Sequence, residues 1–209
     1  MLSTSTRKFA AYQWILQLFF ILLQVGNLID TGVLNFARER LEKRLAALND
    51  ASFEDVFRRS FTFHQIREGI SREEIRSWLK TLFDPSVYNA TIYRITVNNQ
   101  TGARLLKSSF EAFERPKGLV LTRNNNVDDS QTVYVGSSRK ISSRLYQHLN
   151  NTAKGTYALK LNLWCPDVEN SLAVEVTPIR AGNGISLLQD LEDALWERSR
   201  PMFGKLGGK

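Results

Sequence analysis

The stretch YVGSSRKISSRLYQHL, residues 134–149, decides the fold of the C-terminal half of the chain. It begins with β-forming residues, turns at Gly136 and the serines that follow, and continues with apolar residues at every fourth position. These apolar positions are Ile141, Leu145 and Leu149. Arg144 and His148 are also four residues apart, so they lie on one side of the expected helix. The pattern therefore predicts a strand, a turn and a helix that bring Tyr134, Arg144 and His148 together.

Further elements on both sides of this stretch predict an α+β domain with a small sheet. Short runs rich in β-branched and aromatic residues, bounded by turn residues, predict strands at 91–97, 118–123, 132–136 and 172–176. Helical periodicity predicts helices at 141–149 and 186–198, while the apolar run 157–164 fits either type of element. Strands with interspersed helices are typical of the α+β class.

The region around the opening stretch is strongly basic. Residues 101–160 contain ten Lys or Arg against four Asp or Glu, and the whole chain has a net charge of +7. This excess favours a phosphate-bearing partner such as DNA, with a solvated basic face as the alternative. Arginine can bind a phosphate through two parallel hydrogen bonds, and histidine or tyrosine can relay a proton. The cations that we predict to contact DNA are Arg123, Arg139, Lys140 and Lys154.

One carboxylate in the last predicted helix is unusual in its position. At about 100° per residue, Glu192 falls in the middle of the apolar face of that helix. That face is formed by Leu188, Leu191 and Leu195, and the other acidic residues, Asp190, Asp193 and Glu197, point away from it. An ionised carboxylate on a packed face is costly unless it is paired or binds a cation. Glu192 is therefore a candidate metal ligand, with partial exposure or a salt bridge to an arginine as the alternative.

The spacing within residues 134–149 resembles the second half of the GIY-YIG nuclease signature. The matching features are Tyr134 and Gly136 on a strand, Arg144 eight residues after the glycine, and His148 four residues later. The resemblance implies a small, mainly antiparallel sheet of three strands flanked by helices. It also implies a DNA endonuclease in which Arg144 stabilises the transition state and Glu192 holds one divalent metal, Mg²⁺ or Mn²⁺.

The first half of the signature is less clear in this sequence. The family expects a tyrosine on a strand paired with that of Tyr134, but Val120 stands where the phenol should be in the nearer run 118–120. Tyr93 lies in a suitable local pattern about 40 residues upstream, and we favour it because long surface insertions cost little free energy. The family also expects an asparagine soon after the terminal proline, where this chain has Gly204.

The resemblance implies hydrolysis of a DNA phosphodiester in one step. Tyr93 or Tyr134 would orient or deprotonate the attacking water with His148 assisting, and the sequence leaves the identity of the general base open. Two other hypotheses remain. The chain could be a non-catalytic DNA-binding or interaction module that retains the fold, or a scaffold attached to a membrane or partner by residues 9–25.

The N-terminal part, residues 1–85, is predicted to be a helical region that precedes a nuclease domain at 86–209. Its expected helices are 9–25, 33–48, 53–63 and one that starts at the capping pattern Ser71-x-x-Glu74. Residues 66–82 weakly resemble a helix-turn-helix, although plain helical packing explains the same pattern. This region could bind the target or join two chains in a homodimer.

Two further features bear on location. Residues 9–25 are apolar but carry three glutamines along one stripe, which favours an amphipathic helix over insertion into a membrane. The chain has one cysteine and two histidines, which excludes an internal disulfide and a multi-cysteine zinc site. We therefore expect a cytoplasmic protein.

Overall fold

The computed structural model of the protein describes residues 28–84, 87–150, 154–180 and 185–207. The chain divides into two compact units, residues 1–45 and 46–209. The helices are α1 (Thr31–Asn49), α2 (Phe63–Glu68), α3 (Arg72–Lys80), α4 (Gln100–Ala112), α5 (Ile141–Leu149) and α6 (Ile185–Ser199), with a 3₁₀ turn at Leu161–Leu163. The strands are β1 (Ser52–Phe53), β2 (Phe57–Thr62), β3 (Ala90–Val97), β4 (Thr132–Ser138) and β5 (Ser171–Arg180).

The five strands form one open antiparallel sheet, which confirms the predicted α+β class. β3 lies between β4 and β5, while β1 and β2 both pair with the other edge of β5. Tyr93 in the middle of β3 is opposite Gly136 of β4 on one side and Val176 of β5 on the other. The expected count of three strands was wrong, because β1 and β2 extend the sheet beyond β5.

The predicted helix at 53–63 was wrong, and this error explains the extra strands. Residues 52–53 and 57–62 are strands, and a helix begins only at Phe63. Phe53, Phe57 and Phe61 are four residues apart, a spacing that places side chains on one face of a helix and equally on one face of a strand. Along β2 the exposure alternates residue by residue, as expected of a strand.

The segment between β3 and β4 also differs from expectation. Residues 118–123 are not a strand, and only Asn124 nearby forms an isolated bridge, to Phe203. The helix α4, which was not predicted, occupies 13 residues of this insertion. Asn99 caps the start of this helix by accepting a 2.7 Å hydrogen bond from the backbone N–H of Gly102. From sequence, Gly102 was read as a turn residue. The helix then buries Ala103, Leu106 and Phe110 against the core.

Several other predicted elements agree with the structure. The expected strands at 91–97, 132–136 and 172–176 correspond to β3, β4 and β5, and the expected helices at 33–48, 141–149 and 186–198 to α1, α5 and α6. Ser71 caps α3 by accepting a 3.0 Å hydrogen bond from the N–H of Glu74. The ambiguous run 157–164 contains the 3₁₀ turn.

The predicted division at residue 85 does not coincide with the boundary between the compact units. That boundary lies between Leu45 and Ala46, so β2, α2 and α3 belong to the same unit as the candidate site. The apolar residues 9–25 lie outside the described residues. None of the described helices is both long and apolar enough to cross a membrane. On α1, Leu34, Leu41 and Leu45 are exposed. The homodimer through the N-terminal region stays a prediction.

The two faces of the sheet carry different helices. Tyr93 and Ile95 of β3 pack in the main core cluster together with Leu145 of α5. Ile92 points to the opposite face, where it packs with Ile179 of β5 and Leu187 of α6. α5 and α6 therefore lie on opposite faces of the sheet, and both reach the edge strand β4.

Candidate active site

Arg144 forms the centre of a hydrogen-bonded cluster on the α5 face of the sheet. Its Nε donates to the Tyr93 hydroxyl at 3.3 Å, and one terminal nitrogen donates to the Tyr134 hydroxyl at 3.2 Å. The other terminal nitrogen donates to the carbonyl of Tyr157 at 2.9 Å and to the side-chain oxygen of Gln147 at 3.1 Å. All three guanidinium nitrogens are thus held, so the cation has a fixed orientation.

The protein environment keeps Arg144 charged. Burial opposes its positive charge, but the phenol oxygens of Tyr93 and Tyr134 raise the pKa of the guanidinium above its ordinary value. The side chain is only partly enclosed. A cation fixed by neutral partners retains most of its charge for a ligand, and the four partners of Arg144 are hydroxyl, amide and carbonyl oxygens.

His148 lies fully buried beneath this cluster. Its Nδ1 accepts a 3.3 Å hydrogen bond from the backbone N–H of Leu159, which assigns the ring proton to Nε2. Nε2 is 2.9 Å from the Tyr93 hydroxyl and donates to it. Burial, and then the nearby charge of Arg144, hold the pKa of His148 well below its usual range. The imidazole is therefore neutral and acts as a hydrogen-bond donor to Tyr93.

The Tyr93 hydroxyl consequently accepts two hydrogen bonds, from His148 and from Arg144. Burial, followed by the nearby Tyr134, raises its pKa well above the usual value, and the charge of Arg144 opposes this only in part. Tyr93 therefore remains a protonated phenol whose own hydrogen is left to donate elsewhere. Its ring lies nearly parallel to that of Tyr134, with centroids 6.1 Å apart.

Gly136 allows the two tyrosines to occupy this face. A Cβ at this position would lie 2.5 Å from the Tyr93 hydroxyl oxygen and 2.9 Å from Cε1 of Tyr134. A side chain there would force one of the tyrosine rings to move, because real Cβ contacts essentially never fall below 3.0 Å. The glycine lets the Tyr93 side chain reach across β4 toward the edge of the sheet.

Glu192 approaches the same edge from the opposite face. The Ser137 hydroxyl donates a short hydrogen bond to its carboxylate, and Ser137 is opposite Ile92 on the α6 face. Burial raises the pKa of Glu192 and Asp193 adds to this, whereas the Ser137 hydrogen bond and Arg144 lower it. Within the described part of the chain Glu192 has no ion pair but is partly exposed, so of the two alternatives to metal binding the structure excludes the salt bridge and agrees with partial exposure.

Four of the five residues singled out by sequence therefore form one cluster, since Tyr93, Tyr134, Arg144 and His148 are linked directly. Glu192 lies at the same edge of the sheet but on its other face, hydrogen-bonded to Ser137. No family model, curated protein or solved structure matches the chain. The resemblance to GIY-YIG nucleases thus stays a prediction.

The C-terminal tail closes the cluster at Tyr134. The N–H of Gly204 donates to the carbonyl of Arg123 at 2.9 Å, and the backbone of Gly204 adopts a φ of +116°. A Cβ at Gly204 would lie 3.2 Å from Cε2 of Tyr134. These two constraints explain in physical terms why a larger residue such as asparagine does not stand there. The indole nitrogen of Trp196, close to this glycine, is buried without a protein partner.

The four cations predicted to bind DNA are all exposed, but they are spread over different segments. Arg139 and Lys140 follow β4 directly and precede α5. The carbonyl of Arg123 bonds to Gly204, which places the backbone of Arg123 near Tyr134. The carbonyl of Lys154 accepts hydrogen bonds from Val120 N–H and from the Lys160 ammonium.

Sequence reasoning missed several groups that position the site. Ser137 was seen only as a turn residue, although its alternation with Gly136 already places it on the other face of β4. The Tyr157 carbonyl and the Leu159 N–H are backbone groups with no signal in residue type. Among the described residues no group of three or more His, Cys, Asp or Glu side chains that could hold a metal ion occurs.

Proposed function

We propose that this chain is a metal-dependent DNA endonuclease of the GIY-YIG type, which hydrolyses a phosphodiester bond in one step. The main support is the guanidinium of Arg144, held by two tyrosine hydroxyls and a backbone carbonyl at the edge of the sheet. A phosphodiester gains negative charge on its oxygens during hydrolysis, and a cation fixed beforehand stabilises that charge without reorganising.

Arg144 contributes by its fixed orientation as well as by its charge. Losing one such preorganised donor typically slows a reaction by about 100- to 1,000-fold, or about 3–4 kcal/mol. Tyr157 and Gln147 hold one terminal nitrogen and Tyr134 accepts from the other. A phosphate would compete with the Tyr134 hydroxyl for the second terminal nitrogen, since that hydrogen bond, at 3.2 Å, is longer than the two that the first terminal nitrogen makes.

Glu192 fits the role of a ligand for a single hard cation. Mg²⁺ is usually bound through one or two carboxylates, with the substrate phosphate and water completing the shell, so one protein carboxylate suffices. When bound, such a cation would polarise the phosphate and stabilise the leaving oxygen. Ser137 holds one carboxylate oxygen and thereby orients the other. The raised pKa of Glu192, due chiefly to burial, would fall if a cation were bound.

The remaining groups divide their roles according to burial. Tyr93 keeps its proton and is fixed by His148 and Arg144, so it orients groups rather than removing a proton. Tyr134 is only partly buried and makes one hydrogen bond to Arg144. We assign to Tyr134 the contact with the attacking water, and to His148 the positioning of Tyr93.

DNA is the proposed substrate because the polymer supplies many phosphates for the basic surface. The net charge is +7, and the exposed cations Arg123, Arg139 and Lys140 lie near the tyrosines or near the start of α5. Charge of this kind provides affinity without sequence specificity.

The experiment is cutting of supercoiled plasmid by the purified protein with Mg²⁺, with Mn²⁺ and with chelator. Arg144→Ala and Glu192→Gln should abolish metal-dependent nicking while the proteins remain folded by circular dichroism. Glu197→Gln, which changes an exposed carboxylate on the same helix, and Arg104→Ala, which removes an exposed cation on α4, should cut normally. Salt-sensitive DNA binding without cutting under any metal would favour the non-catalytic binding module instead.

A further inference from the structure

A pocket of about 600 Å³ lies beside the candidate active site, at the start of α5. Its walls come from α3, from the segment before β3 and from the first turn of α5. Thr91 and Ser138 form part of the wall, and the Thr91 hydroxyl donates to the Ser138 carbonyl at 2.9 Å. Thr91 lies two residues before Tyr93 on β3, and Ser143, another wall residue, directly precedes Arg144 on α5, so the pocket adjoins the residues of the cluster along both elements.

Four cations line this pocket: Arg76, Lys80, Arg139 and Lys140. Only one carboxylate, Glu73, accompanies them in the lining. Across the described ranges none of these four cations forms an ion pair with an acidic side chain. Four cations against one carboxylate leave the pocket lining with an excess of positive charge, which suits a phosphate.

The first turn of α5 adds donors to the same wall. No side chain caps this helix at Lys140, so its first backbone N–H groups lack the usual partner. The Ser142 hydroxyl lines the pocket, and its oxygen is buried without a hydrogen-bond partner in the protein. Uncapped N–H groups at a helix start bind anions well.

The pocket lining also includes apolar residues and two aromatic rings. Leu79, Ala90 and Ile141 contribute to it together with Phe83 and Tyr88, whose rings meet edge to face with centroids 6.4 Å apart. A phosphate alone gains nothing from an apolar lining, whereas a flat nucleobase gains from stacking on an aromatic side chain. The volume is within the range of about 300–1,000 Å³ that is typical of small-molecule sites, and a paired duplex is too wide to enter such a pocket.

We infer that this pocket binds one unpaired nucleotide of the DNA strand adjacent to the bond that is cut. The base lies against Phe83 and Leu79, and its phosphate contacts the start of α5 together with the four cations. Arg144 follows Ser143 directly, so one helix presents its first turn to this nucleotide and Arg144 to the neighbouring phosphate. The inference rests on the proposed function and narrows its substrate class to DNA with an unpaired or displaced base.

The test is equilibrium binding of fluorescent oligonucleotides in chelator, where no cutting occurs. The probes are a short single strand, the matching duplex, the same duplex with one unpaired base, and an RNA strand of the same sequence. The wild-type protein should bind the single strand and the bulged duplex at least about five-fold more tightly than the intact duplex, the low end of one base–aromatic stack. Equal affinity for all three DNA probes, or tighter binding of the RNA, would overturn the inference.

Variants separate the two parts of the pocket. Phe83→Leu keeps the lining apolar but removes the ring on which the base is proposed to lie, leaving Tyr88 in place, so it should weaken only the probes with an unpaired base, by roughly 5- to 150-fold. Arg76→Ala with Lys80→Ala should weaken all DNA probes and lower the salt dependence, by about one unit of slope for each cation that contacts a phosphate. The matched control, Arg104→Ala with Lys117→Ala, removes two exposed cations outside the pocket and should leave the preference unchanged.

Failure of the pocket inference can be distinguished from failure of the nuclease proposal. Cutting without any preference for unpaired bases would overturn this inference alone. A preference that depends on Phe83, in a protein that cuts no DNA with either metal, would support the pocket and overturn the nuclease.

Discussion

Replacing Gly136 by alanine should damage the site much more than the fold. The added Cβ would lie 2.5 Å from the Tyr93 hydroxyl oxygen and 2.7 Å from Cζ of the same ring, whereas ordinary contacts begin at 3.4 Å. Tyr93 would thus have to move by about 1 Å, and a displacement of about 1 Å can cost about 100-fold in rate. Gly136 does not have a positive φ, so the backbone itself accepts alanine.

The expected loss of stability is about 1–3 kcal/mol, as for other overpacked positions. The assays are urea unfolding and the initial rate of plasmid nicking, both compared with Gly155→Ala, where the new methyl would meet nothing within 4 Å. Gly155→Ala should change neither quantity. If Gly136→Ala nicked DNA at the wild-type rate with unchanged stability, the assigned position of Tyr93 over Gly136 would be wrong.

Three further perturbations test other parts of the site. Tyr93→Phe leaves donors of His148 and Arg144 without an acceptor, so urea unfolding should show a loss of about 1–3 kcal/mol; an unchanged free energy would contradict the described network. Arg144→Lys keeps the positive charge but loses the guanidinium whose three nitrogens are each hydrogen-bonded, so the initial rate of plasmid nicking should fall by about 100-fold or more. Because burial depresses the pKa of His148, the unfolded chain binds a proton there below about pH 6.5 that the folded chain does not. The wild type should therefore lose stability as pH falls below 6.5, by up to about 1.4 kcal/mol per pH unit, and His148→Gln should reduce that dependence in unfolding experiments at several pH values.

The elements that hold the site could be predicted because their periodicity is unambiguous. β3 and β4 are β-branched runs, and α5 repeats apolar residues every four positions. β2 was mistaken for a helix because the spacing of its phenylalanines fits both types of element. α4 was missed because Gly102 suggests a turn, although Asn99 caps the helix at that point.

The residue types of the candidate site could be predicted from the sequence, but the contacts that hold them in place could not. Tyr93 could be chosen over Val120 from residue type, but its pairing with Gly136 depends on a register that no local pattern specifies. The partners that fix Arg144 and His148 include the Tyr157 carbonyl and the Leu159 N–H. Every residue carries these backbone groups, so their role is visible only in three dimensions.

The long connection between β3 and β4 has a practical consequence. The two tyrosines are brought together by strand pairing and not by closeness in sequence, so the connection can change length without changing the register. Near its middle, Lys117 and Gly118 form an exposed turn, and Gly118 has open space around it. A fluorescent reporter inserted at this turn would be joined through the connection to both β3 and β4 yet would lie outside the packed core, which makes it a suitable place from which to detect ligand binding at the candidate site.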